Sequence, residues 1–191
     1  MADTGWVFCG TGAEDSSYGT YPWSASGANI TSDNNVFDTS ECNMGSQDTY
    51  YLKATNFGLS VPNATIDGIE FRIRVYSDDT SGTPGDVGRF VHCETIQGGT
   101  IGGTDLNGST DLNNLSETAH TFGNSTQLWG QTWTYSDVNA SNFGVAFAFT
   151  LNGTSHVDIK VDSVEVKVYY TVSTTPGTMG NPSGALLGVI L

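Results

Sequence analysis

Ile69-Glu70-Phe71-Arg72-Ile73-Arg74-Val75-Tyr76 alternates without a break. Ile69, Phe71, Ile73 and Val75 fall on one side of an extended chain and Glu70, Arg72 and Arg74 on the other, as in a strand with one dry and one wet face. Val164, Val166, Val168 and Tyr170 alternate with Glu165, Lys167 and Tyr169 in the same way. The likeness extends beyond the period. Ile66-Asp67-Gly68-Ile69-Glu70-Phe71-Arg72-Ile73 aligns with Val161-Asp162-Ser163-Val164-Glu165-Val166-Lys167-Val168. In both, apolar residues stand three apart across Asp67-Gly68 or Asp162-Ser163, and a β-bulge or tight bend there restores the phase. Arg72, Arg74, Lys160 and Lys167 lie on or beside these segments. The pattern predicts neighbouring or symmetry-like strands, with cross-strand pairs among Glu70, Arg72, Glu165 and Lys167.

Outward from these strands the pattern stays β. In Phe143 to Leu151, Val145, Phe147 and Phe149 face one side and the small Ala146 and Ala148 the other, which suits a strand covered on both faces by a loop or a neighbouring subunit. Arg89 to Ile96 reads as a further strand, with Phe90, His92 and Glu94 opposite Val91, Cys93 and Thr95. No window keeps a helical apolar period for three turns, so little or no helix is expected. The stretches between, Asp78 to Asp86 and Gly98 to Leu115, are rich in Gly, Ser, Thr, Asn and Asp, the residues of turns. The fold class that follows is all-β, an antiparallel two-sheet sandwich of jelly-roll type with long polar loops. Residues 1–172 form the sandwich domain, and 173–191 a Pro/Gly-rich linker and an apolar C-terminal arm.

The chain has 191 residues and a formal net charge of −14. That balance repels nucleic acid and anionic membranes alike, so neither is expected as a partner. The start carries no basic or apolar targeting pattern, and the apolar C-terminal run is far too short to span a bilayer. Cys9, Cys42 and Cys93 lack metal-ligand spacing; they read as buried thiols, with one disulfide open as the alternative.

Enzymatic patterns are absent. His92 and Cys93 are adjacent and point to opposite faces of a strand, and no nucleophile or metalloprotease motif accompanies His120 or His156. No catalytic residue and no cofactor are expected. Asp78, Asp79 and Asp86 share one turn-rich loop whose oxygens suit Ca²⁺, yet without EF-hand spacing, so solvated turns are the preferred reading. Tyr18, Tyr21 and Trp23 crowd one segment, Trp129, Trp133 and Tyr135 another. Exposed rings of this kind form glycan platforms; alternatively Trp129 and Trp133 plug the end of the sandwich, with Gly130 allowing the chain to turn between them. The arm ends in Leu186, Leu187, Val189, Ile190 and Leu191. Such side chains seek a surface, either an edge of their own domain or a neighbouring copy.

Between Tyr51 and Thr171 several phrases recur in order: Tyr51-Leu52-Lys53-Ala54-Thr55-Asn56-Phe57-Gly58-Leu59, Ala64 to Glu70, Leu128 to Thr134, Asp137 to Val145, and Val161 to Thr171. Together they resemble a recurrent β-sandwich module of tailed-bacteriophage virion proteins. The resemblance implies a non-enzymatic structural protein, made in the host cytoplasm and resident in the virion as head decoration or a tail- or fibre-associated part. Its expected partners are copies of itself and other virion proteins. The alternative expectation is a glycan-binding module that attaches to a host surface.

Overall fold

The computed structural model describes residues 1–42, 45–79, 87–108, 112, 116–153 and 156–172. The strands are β1 (Ala2–Asp3), β2 (Val7–Phe8), β3 (Thr11–Asp15), β4 (Asp38–Cys42), β5 (Gly45–Asp48), β6 (Tyr51–Thr55), β7 (Thr65–Asp79), β8 (Val87–Gln97), β9 (Thr100–Gly102), β10 (Thr118–Gly123), β11 (Gly144–Gly153) and β12 (Val157–Thr171). They form two antiparallel sheets. The first runs β1-β12-β7-β10, with β2 and β4 also pairing to β12; the second runs β3-β6-β11-β8-β9, with β5 also on β11. The linker and arm, residues 173–191, lie outside the described residues.

The two repeated segments are the neighbouring centre of the first sheet. β7 and β12 pair along most of their length, with Phe71 opposite Val166, Glu70 opposite Lys167 and Arg72 opposite Glu165. The register shifts at Asp67, between Tyr169 and Tyr170, and at Asp162, between Val161 and Ser163, so each Asp is the extra residue of a bulge. Gly68 follows the first bulge for a steric reason: a Cβ there would run into the backbone of Asn124 and Ser125. With the phase restored, Ile69, Phe71, Ile73, Val75, Val164, Val166 and Val168 are all fully buried between the sheets. Leu52, Ala54, Val145, Phe147, Phe149 and Leu151 close the core from the second sheet.

Strand β8 departs from strict alternation. Phe90 is 3% exposed and packs on Phe149, ring centroids 4.4 Å apart, so it shares the inner face with Cys93 and Thr95 rather than with His92 and Glu94. The cause is a third bulge. Ala148 pairs with His92 and Phe149 with Phe90, which leaves Val91 as the extra residue and reverses the faces beyond it. Asp78 and Asp79 also move relative to expectation: both belong to β7, not to a loop.

A single helical turn, α1 (Tyr135–Asn139), stands before β11. Thr134 caps it: its side chain accepts from the Asp137 N–H, and the Asp137 carboxylate accepts from the Thr134 N–H at 2.8 Å. The tryptophans ahead of this turn seal the end of the sandwich. Trp129 is fully buried and donates its Nε1–H to the Ile69 carbonyl at 3.0 Å, and Trp133 donates to the Leu128 carbonyl at 3.0 Å. Gly130, at φ +67, turns the chain between them. Cys9 and Cys93 are buried free thiols, and burial pushes the Cys9 thiol up to about 12. The side chain of Cys42 lies outside the described set.

Candidate functional site

The outer face of the second sheet carries an unusual central column. Inner residues Val145, Phe147 and Phe149 on β11 leave Gly144, Ala146 and Ala148 pointing outward. Gly144 is small by necessity, because a Cβ there would overlap the Ala54 carbonyl. The neighbouring strands supply taller side chains in ordered rows. Thr11, Thr55, Gly144 and Ile96 form one row; Ala13, Lys53, Ala146 and Glu94 the next. Asp15 opposite Tyr51 and Ala148 opposite His92 continue the sequence of rows.

Between these walls lies a shallow groove. A cavity of 250 Å³ is lined by Ala13, Lys53, Thr55, Ile96, Gly99, Ser141 and Asn142. Its floor is apolar, and its rim presents an ammonium, two hydroxyls and an amide. Lys53 is fixed by an ion pair of 2.8 Å to Asp15, and that hydrogen bond is the main cause lowering the Asp15 pKa to about 2.

Further along the same face, outside the residues that line the groove, three rings meet. Tyr18 and Tyr51 have centroids 5.3 Å apart, and the His92 ring stands edge-on to Tyr18 at 4.4 Å. The Tyr51 hydroxyl donates to Glu94 at 2.8 Å, and the Tyr18 hydroxyl donates to Asp48 at 2.6 Å. Burial first, and then these carboxylates, push both phenol pKa values up, so the two hydroxyls remain donors throughout the physiological range. Thr150 donates to the second oxygen of Asp48 at 2.7 Å. Asp105 holds the loop after β9 against the sheet. Its Oδ1 accepts from the Cys93 and Asn107 N–H groups at 2.9 Å each, and its Oδ2 lies 2.7 Å from His92 Nδ1.

The expected site residues distribute unevenly. Of the aromatic platform Tyr18, Tyr21, Trp23, Trp129 and Trp133, only the tyrosines keep exposed surface. Trp23 is 3% exposed, donates to the Tyr50 carbonyl and packs edge-on against Phe149, and Trp129 and Trp133 plug the end of the sandwich. None of the three offers a ring face to a ligand. Tyr21 borders a separate groove with Pro22, Ser24, Thr39 and Glu41. Asp78 lies on the first sheet, where Lys160 pairs with it at 2.8 Å; Asp86 lies outside the described residues. The arm residues Leu186, Leu187, Val189, Ile190 and Leu191 also lie outside them. His156 Nε2 is 2.8 Å from Asp158, and His120 sits partly buried against Phe90, where burial lowers its pKa.

Asn142, which lines the groove, was not singled out from the sequence, and neither were Tyr51, Glu94 and Asp105 on the same side of the sheet. The small outward residues of β11 were read as a strand covered on both faces, and Ala146 and Ala148 are indeed buried, beneath Tyr51 and Ile96.

No protein-family model matches the chain, and neither does any curated protein sequence. Solved structures with a similar outline are carbohydrate-binding modules. One, described as "CBM4 structure and function", has 17% identity and a TM-score of 0.38, covering 85% of this chain and 93% of its own. The N-terminal cellulose-binding domain of Cellulomonas fimi β-1,4-glucanase C has 13% identity and a TM-score of 0.35, covering 88% and 90%. The CBM36-1 domain of a multidomain xylanase from the hindgut metagenome of Trinervitermes trinervoides has 12% identity and a TM-score of 0.32, covering 90% and 100%. Likenesses this distant bear on neither ligand nor site. They contain nothing that ties the chain to a tailed-phage virion; of that resemblance, the β-sandwich is the part that holds.

Proposed function

We propose that this chain is a binding module, not an enzyme, and that it takes a glycan along the outer face of its second sheet. The observation that supports this reading is the groove over β11. Its floor of Ala13 and Ile96 is apolar, and Lys53, Thr55, Ser141 and Asn142 surround it with hydrogen-bonding groups. A sugar ring has the matching design, an apolar C–H face and an edge of hydroxyls that both donate and accept. The lining of this groove supports the glycan expectation; the assembly expectation drew on the resemblance to phage virion modules and on the C-terminal arm, which lies outside the described residues.

Glycan-array binding followed by calorimetry tests the proposal. Saturable binding that is lost in Asn142→Ala and in Ala146→Leu is the expected result. Absence of saturable binding to any glycan, or binding that both variants retain, overturns it.

A further inference from the structure

We propose that Glu41, His156 and Asp158 form a divalent metal site of the Zn²⁺ type on the outer side of the first sheet, away from the groove on the second. The strands dictate the assembly. Val157 and Ile159 are fully buried between the sheets, so Asp158 between them points outward. The register sets Glu41 of β4 on one side of Asp158 and Asp78 of β7 on the other, three carboxylates in one row across three strands. Like charges directly opposite one another destabilise a sheet, and Lys160 relieves this row only in part. It pairs with Asp78 at 2.8 Å and stands 3.7 Å from Asp158. His156, just ahead of β12, brings an imidazole to the same place, and the ligand atoms offered by Glu41, His156 and Asp158 lie within 4.8 Å of one another.

A second observation is separate from the gathering of charge. Asp158 is only 7% exposed, and its Oδ1 accepts no hydrogen bond from the described residues. His156 Nε2 stands 2.8 Å from that oxygen, but off the line that a donated proton needs. A buried acceptor left in this state costs stability unless something else meets it. Burial, with Glu41 and Asp78 adding to it, raises the Asp158 pKa against the opposing pull of His156 and Lys160. A cation removes both costs, because it coordinates the oxygen and offsets the row. One imidazole nitrogen and two carboxylate oxygens suit Zn²⁺, whereas Ca²⁺ and Mg²⁺ take oxygen ligands and more of them. Bonds of about 2.0–2.2 Å set tetrahedral ligand atoms roughly 3.4 Å apart. The Asp158–His156 pair then opens slightly, and Glu41, exposed on β4, closes the third side. Such an ion fastens β4 to the start of β12.

Calorimetric titration of the full chain with Zn²⁺, Ca²⁺ and Mg²⁺, each followed by a thermal melt, tests the site. One equivalent of Zn²⁺ is expected to bind, about tenfold tighter or more than either hard cation. At about a hundredfold excess over Kd it should raise the melt by several degrees. His156→Ala and Asp158→Asn should each weaken Zn²⁺ binding about tenfold or more and leave the melt unmoved by the metal. Asp158→Asn keeps the shape of the side chain and removes a buried charge, so its fold is retained. His92→Gln, which alters the carboxylate-flanked histidine of the second sheet, should change neither readout. No saturable Zn²⁺ binding overturns the site. So does binding that survives both His156→Ala and Asp158→Asn, or that disappears in His92→Gln. Ca²⁺ or Mg²⁺ bound as tightly as Zn²⁺ also overturns it, because the imidazole would then contribute nothing. Glycan binding enters none of these readouts.

Discussion

On the outer face of the first sheet, the central strands β7 and β12 present Glu70, Arg72, Glu165 and Lys167, long side chains that reach across to one another. On the second sheet the central strand β11 presents Gly144, Ala146 and Ala148, small residues over which Tyr51 and Ile96 of the flanking strands fold. The first face is closed by its own residues. Arg72 pairs with Glu165 at 2.6 Å, Lys167 lies 3.9 Å from Glu70, and Tyr169 donates to Glu70 at 2.7 Å. Trp6 then lies across the top, 4.4 Å from the Arg72 guanidinium and 4.3 Å from the Lys167 ammonium. On the second face Tyr51 and Ile96, with Tyr18, Val91 and Ile101 beside them, cover the small column and bury Ala146 and Ala148, and a groove remains beside Ala13, Lys53, Thr55 and Asn142. Two sheets that share one apolar core therefore differ on their outer sides: one is closed by long charged side chains and a tryptophan, the other by rings and an isoleucine over a column of small residues, with a groove beside them.

The largest test of that picture attacks what the faces share. Phe71→Ala should destabilise the chain by about 3–5 kcal/mol in urea unfolding, and it should weaken the groove only through unfolding. A small loss would mean that the two sheets are not packed through this residue.

Acidity then separates the faces. Asp162, fully buried at its bulge, has its pKa raised from 3.8 to about 6, chiefly by burial, with the nearby charges of Asp33 and Glu117 adding to the shift and the Asn34 N–H opposing it. Arg74 pairs with both Asp33 and Glu117 beside it. Between pH 4 and 6 the native state keeps a proton that the unfolded chain releases, so stability falls as pH rises through this window. The loss is about 3 kcal/mol, and Asp162→Asn should abolish it in melts across that range. Asp15 on the second sheet behaves oppositely: its lowered pKa stabilises the fold above the ordinary carboxylate range, and that contribution fades as pH drops toward 2. A wild-type melt that rises steadily from pH 4 to 7 would contradict the Asp162 assignment.

Ala148→Leu crowds the covered column of β11. Overpacking beneath Tyr51 should cost about 1–3 kcal/mol and remove glycan binding more completely than its melt predicts. Unchanged binding would relocate the ligand away from β11. The smallest effect belongs to the closed face: Lys167→Gln should lower stability by less than about 1 kcal/mol and leave binding untouched, because its pair with Glu70 is long and partly solvated.

The same contrast explains what could be read in advance. β7 and β12 were legible because each has one dry and one wet side, and the two Asp-centred phase breaks announced their bulges. β8 was misread because Val91 looks like an inner residue, and only its pairing with β11 shows that it is the extra one. The aromatic residues misled in a similar way. Crowding in sequence marked Trp23, Trp129 and Trp133, but whether a ring is buried depends on partners far along the chain, such as Phe149 and Ile69. Tyr51 and Glu94 are 43 residues apart, and Tyr18 and Asp48 are 30 apart. No local pattern joins them. The small residues on β11 were the one local sign, because a strand with apolar bulk on one side and almost none on the other has room for something else.

The pairing of β1 with β12 has a mechanical consequence. Ala2 lies opposite Tyr170 and Asp3 opposite Tyr169, antiparallel, so the chain enters and leaves the sandwich at one corner. A pull applied between those points loads the hydrogen bonds in series and peels them one at a time, instead of shearing them together.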